Sequence, residues 1–150
     1  MVLVGSKGNK PIHPYHAGVD MGRKVERTEE EWRKKLSTEE YRVLRNKGTE
    51  APYTGKYFKS HDQGHYVCAG CGKVLFSSED KFDSGCGWPS FSKSAEKVEE
   101  KRDQSHGMTR TEVLCPDCGG HLGHVFDDGP APTGQRYCIN SVSIKLRPKE

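Results

Sequence analysis

The chain has 150 residues, enough for one domain with a modest core, and only 32% of them are hydrophobic, while Gly (17) and Pro (8) are plentiful. The net charge is +3 and its surplus lies in residues 1–27, which hold five basic and two acidic side chains and leave nineteen of each to the rest. A body so balanced lacks the basic excess of a nucleic-acid domain, and no apolar run approaches a membrane span; neither nucleic acid nor membrane is an expected partner.

Residues 1–25 carry Gly, Pro, His13 and His16 without periodicity and read as a flexible leader, with both histidines solvated. Residues 26–150 are the expected folded unit. The opening MVLV is too short for the apolar region of an export signal. Six cysteines without such a signal point to a reducing, cytoplasmic compartment, where thiols serve as metal ligands or redox groups.

Residues 28–47 read as two helices. Thr28 with Glu31, and Ser37 with Glu40, each fit a capping box. Trp32 and Leu36 share one helical face, as do Tyr41 and Leu44, and Gly48 follows as the expected C-terminal cap. From about residue 49 short β-type runs alternate with turns, at 66–68, 74–76, 98–100, 109–114, 124–127, 135–139 and 142–146. Such spacing predicts a mainly β fold, an antiparallel sandwich or barrel with short N-terminal helices.

YVCAGCGK (66–73) and VLCPDCGG (113–120) each place two residues between cysteines and a glycine after them. A tight turn of that length aims both sulfurs at one ion, and the glycines at 72 and 119 permit the left-handed backbone it needs. Cys68, Cys71, Cys115 and Cys118 are therefore expected to hold one structural Zn2+ per chain, with 43 residues looped out between the halves. The competing reading is two independent redox pairs.

Two cysteines remain. Cys86, in FDSGCGWPSF (82–91), sits in a glycine-flanked loop, where a thiol is accessible and mobile. Cys138, in GQRYCINS (134–141), lies on an expected strand, so alternation puts Arg136, Cys138 and Asn140 on one side. A guanidinium beside a thiol favours the thiolate, which makes Cys138 a candidate nucleophile; the bland alternative is a small buried hydrophobe. GGHLGHVFDDGPAPTG (119–134) adds His121 and His124 as candidate acids, which can reach one pocket only if the strand kinks between them.

These stretches, with GTEAPYTG (48–55) and SHGMTRTEV (105–113), resemble the methionine-R-sulfoxide reductases (MsrB) from about residue 28 to residue 147. The resemblance implies two antiparallel sheets, a zinc site away from the chemistry, Cys138 as nucleophile and Cys86 as resolving cysteine. His121, His124 and Asn140 would line the polar side of the pocket and Trp88 its apolar side, with Trp88, Asn140 and Arg136 as the substrate-binding candidates. The implied substrate is methionine-R-sulfoxide, in oxidised proteins or free, and the implied partner is a thioredoxin-type reductant acting on a monomer. In that chemistry Cys138 attacks sulfur, His124 donates a proton and His121 positions or recharges it. The rival class is a zinc-ribbon module binding nucleic acid or protein, which leaves the two spare cysteines without a role.

Overall fold

The computed structural model describes residues 23–149. Most of the expected leader, including His13 and His16, lies outside the described residues. Where the description begins, Arg23 pairs with Glu99 at 2.6 Å and the Val25 N–H donates to the Asp117 carbonyl.

Both capping boxes form. Thr28 and Ser37 accept from the backbone N–H groups of Glu31 and Glu40, whose carboxylates return the bond, and these caps begin α1 (Glu29–Lys35) and α2 (Thr38–Leu44). Each cap is worth about 1 kcal/mol. The C-terminal cap differs from expectation: the left-handed residue after α2 is Lys47, at φ 58°, and not Gly48, whose N–H instead donates to the Arg42 carbonyl. The helices bury Trp32, Leu36, Tyr41 and Leu44. Trp32 packs against Gly70 and Leu44 against Gly120, one at each cysteine turn.

Among the described residues nine strands follow. β1 (Gly64–Cys68), β2 (Val74–Ser77) and β9 (Ile144–Pro148) form an antiparallel sheet in the order β2-β1-β9. The second sheet has the order β3-β4-β8-β7-β6-β5, all antiparallel, from β3 (Lys81–Phe82), β4 (Ser90–Phe91), β5 (Glu99–Asp103), β6 (Arg110–Leu114), β7 (His121–Phe126) and β8 (Arg136–Ile139). The mainly β, two-sheet expectation holds. Two-residue β3 and β4 fall at the ends of the stretch read as a loop, and β7 starts three residues earlier than expected.

Aromatic rings lock the sheets together. Phe91 from the larger sheet stacks on Phe76 at 4.5 Å between centroids and meets Tyr66 edge-on at 5.3 Å, while Tyr137 packs on Phe76. Phe76 and Phe91 are fully buried, which stabilises the fold by about 1.5–3 kcal/mol for each ring. Because Phe91 and Tyr137 are directly paired across β4 and β8, the neighbouring pair, Ser90 and Cys138, must face the other way, out of the core. Among the described residues no helix is long and apolar enough to cross a membrane.

Candidate active site

The strand holding Cys138 alternates as its sequence requires: Tyr137 and Ile139 are buried, Arg136 and Cys138 half-buried. Cys138 pairs with Ser90 on one side and with His124 on the other, and His124 pairs in turn with Glu112. Directly opposed residues share a face, so one row of functional side chains crosses four strands on the side away from the core. Above it opens a cleft of about 260 Å3, lined by Cys86, Trp88, His124, Cys138 and Asn140 among others.

The loop from β3 to β4 carries Cys86 over this row. Its Sγ lies 2.8 Å from Cys138 Sγ and 3.3 Å from Ser90 Oγ. The two thiols share a proton, so what the contact does to one it does in reverse to the other. The hydrogen bond with Cys138 draws Cys86 down to about 4 despite burial, with help from Ser84 and Ser90. The same bond, together with burial, pushes Cys138 up against the pull of Arg136.

Arg136 is held as a clamp. Its Nε and Nη2 donate to the two carboxylate oxygens of Asp128 at 2.8 and 3.0 Å, and its guanidinium lies over the Phe126 ring at 4.6 Å. That leaves Nη1 to donate to Cys138 Sγ at 2.7 Å. A bidentate, stacked guanidinium cannot swing away without giving up several contacts.

The kink required between the histidines is a register shift. Leu114 opposes His121 and Val113 opposes Gly123, so Leu122 is the extra residue of a bulge. A Cβ at Gly123 would collide with the Cys138 carbonyl, which explains a glycine at this close approach. The bulge turns both imidazoles to one side, with ring centroids 5.5 Å apart. His124 lines the cleft; His121 is buried behind it and does not.

Each histidine is tied to a carboxylate. His124 Nε2 is 2.7 Å from Asp103 Oδ2, and His121 Nδ1 is 2.7 Å from Glu112 Oε2. The His124 bond, then the Ser105 N–H, holds Asp103 well below the usual carboxylate range. Burial opposes ionisation of Glu112, but the bonds and charges of His121 and Lys47 hold it down as well. Both acids are therefore acceptors and both imidazoles donate. Burial lowers the pKa of His124 more than Asp103 raises it.

Asn140 is buried, its amide donating to the Leu122 carbonyl and its oxygen accepting the Glu50 N–H. The half-buried Trp88 indole donates to the Glu50 carbonyl. Glu50 thus anchors two of the three substrate-binding candidates, Trp88 and Asn140, a role that sequence reasoning did not assign to it. Asp103, Glu112, Lys47 and Arg110 were missed too. The polar residues within the expected strand 109–114 were the only signal for two of them.

The remaining four cysteines converge. Their sulfurs all lie within 4.8 Å of one another, with Cys68 to Cys118 at 3.7 Å and Cys71 to Cys115 at 3.5 Å. A tetrahedral ion at about 2.3 Å from each sulfur asks for edges of about 3.8 Å, so this all-thiol, mostly buried set could hold a metal ion. The two turns are alike: Gly72 and Gly119, both left-handed, donate to the carbonyls of Cys68 and Cys115 at 2.8 Å.

Residues 36–148 match the model of the SelR domain. The chain is 63% identical over 128 residues to the peptide methionine sulfoxide reductase MsrB of Bradyrhizobium diazoefficiens, covering 84% of this chain and 92% of that one. It is 57% identical to the protein of the same name from Leptospira interrogans, over 85% of this chain and 98% of the relative. The corresponding protein of Hahella chejuensis is 58% identical, over 82% of this chain and 90% of its own length.

Proposed function

The chain belongs to the SelR-domain family of MsrB methionine sulfoxide reductases and is an oxidoreductase that reduces methionine sulfoxide; on that premise we propose that it acts on the R epimer with Cys138 as nucleophile and Cys86 as resolving cysteine. The observation that carries this reading is the sulfur pair at the cleft: Cys138 Sγ lies 2.7 Å from Arg136 Nη1 and 2.8 Å from Cys86 Sγ.

Substrate entry moves Cys86 off Cys138. The influence that most raises the Cys138 pKa then disappears, while Arg136 stays and favours the thiolate. The thiolate attacks the sulfoxide sulfur as doubly protonated His124 gives a proton to the oxygen. Its Nε2–H remains on Asp103, so the transferred proton comes from Nδ1. The protonated oxygen then passes from the substrate sulfur to Cys138 Sγ: the substrate S–O bond and the S–S bond made by the attack break, a Cys138 S–O bond forms, and methionine leaves with Cys138 as a sulfenic acid. Cys86 attacks that sulfur, forming a Cys86–Cys138 disulfide and releasing water. A thioredoxin-type dithiol of a reducing cytoplasm returns both thiols by exchange. His121 positions or recharges His124 from behind.

Epimer choice follows from the two walls. The S-methyl group packs on Trp88 while oxygen meets His124, with Arg136 and Asn140 fixing the polar side. Exchanging the groups strands the oxygen on the indole, at a cost of about 1–3 kcal/mol, or roughly five- to 150-fold in rate. Residues 26–150 are the catalytic unit. Cys68, Cys71, Cys115 and Cys118 would hold one structural Zn2+, which when bound crosslinks two hairpins from different sheets and takes no part in the reaction. Turnover of separated R and S sulfoxides, free and in a peptide, with a thioredoxin system tests the proposal. R-selective reduction is expected, and equal rates on both epimers would refute the wall assignment.

A further inference from the structure

Behind the cleft, the carboxylates that hold the two histidines meet at a single cation. Lys47 Nζ lies 3.0 Å from Asp103 Oδ1 and 3.4 Å from Glu112 Oε1, while the other oxygens of these acids bind His124 and His121. The result is a continuous chain, His124–Asp103–Lys47–Glu112–His121, whose carboxylate side chains are only 2% and 5% exposed. Lys47 reaches it from the end of α2, at a φ of 58° where a side chain is disfavoured. Gly48, the next residue, would adopt that conformation without strain, yet the lysine has it.

We infer that Lys47 is a positioning residue for sulfoxide reduction: by bridging Asp103 and Glu112 it sets how readily His124 releases a proton. This rests on the reading of His124 as the proton donor. The groups facing the histidines are Lys47 beyond α2, Asp103 on β5, Arg110 and Glu112 on β6, and Cys138 with its Arg136 on β8. Two carboxylates against Lys47 and Arg110 leave the network neutral when both imidazoles are neutral. Without Lys47 it carries one negative charge, which stabilises protonated His124. The pKa of His124 then rises, and this donor stays charged to higher pH but becomes a weaker acid. Asp103 and Glu112 hold Lys47 itself in the charged form, outweighing the effect of burial.

The shift is bounded by distance and screening. The ammonium acts on the His124 imidazole through one carboxylate, at about 6–8 Å, and its side chain is 42% exposed. An upward movement of about 0.5–1 pH unit follows.

The test titrates the histidine rings by NMR in the full chain and measures the pH profile of the first turnover without reductant. The variants are Lys47→Met, Lys47→Gly and Lys47→Arg. Lys47→Gly suits the left-handed backbone, so it removes the charge while relieving strain and guards against a variant that fails to fold. In the Met and Gly variants the His124 midpoint and the basic limb of the rate profile should move up by that amount, and Arg should restore both. A His124 midpoint that stays in place in a folded Lys47→Gly protein would overturn the role of Lys47, with sulfoxide reduction by the unaltered chain still standing. An unaltered chain that reduces neither epimer would overturn the underlying reading instead.

Discussion

Replacing Arg136 with Met should raise the pKa of Cys138 and slow the first turnover at neutral pH. The guanidinium donates to Cys138 Sγ at 2.7 Å, which puts the centres of charge about 4 Å apart. At an effective dielectric constant of about 20 that attraction is worth about 4 kcal/mol. Part of it is already spent on Asp128, whose carboxylate holds the same guanidinium and whose side chain is 65% exposed and so well screened. Halving the figure leaves about 2 kcal/mol, or about 1.5 pKa units. The thiolate fraction at neutral pH, and with it the first-turnover rate, should then fall about thirtyfold. The assay belongs in a Cys86→Ser background, where the proton shared between the sulfurs no longer confuses the titration. Alkylation by iodoacetamide as a function of pH reads the thiolate directly. With Arg136→Met the alkylation midpoint should rise by 1–2 units. An unmoved midpoint would refute the assignment of Arg136 as the group that ionises Cys138.

Cys138→Ser should abolish sulfoxide reduction entirely, whereas Cys86→Ser should keep one turnover and lose thioredoxin recycling; equal loss of the first turnover in both would refute the division of labour. Cys115→Ser, or a strong chelator, should release the metal and lower the melting temperature by about 10 °C, and an unchanged melt would count against a structural ion. Trp88→Ala should erode discrimination between R and S sulfoxides by about tenfold, measured as the ratio of their kcat/KM values; an unchanged ratio would remove the indole from the specificity wall. Burial holds His124 below the ordinary histidine pKa, so its charged form is lost as pH rises through that lower value. First turnover should therefore already slow as pH rises through the acidic range below the ordinary histidine value, and His124→Gln should flatten that limb of the profile.

What the sequence made legible were features whose physics is local. The capping boxes of Thr28 and Ser37 depend on residues three apart and appear where read. Alternation around Cys138 depends on period two and is intact. The paired C-x-x-C turns announced a four-thiol cluster despite their separation, because each half is a self-contained turn. The two-residue strands β3 and β4 were not legible, since a strand that short shows no period. Nor were the partners of the histidines. Asp103 meets His124 across 21 positions, through two strand pairings and a bulge that a linear reading does not locate. Lys47 read only as the last residue of the helical segment 28–47, and the left-handed turn after α2 carries it to the buried carboxylates. The anchoring of Trp88 and Asn140 by the Glu50 backbone was equally out of reach, because a main-chain contact leaves no mark on residue type.

The most direct test mixes the reduced protein with R-configured methionine sulfoxide, adds no reductant, and follows both partners by mass spectrometry. One equivalent of methionine should form per chain, and the protein should lose the mass of two hydrogens, with a peptide bridge joining Cys86 to Cys138. Absence of methionine, or methionine formed without that bridge, would contradict a thiolate at Cys138 resolved by Cys86.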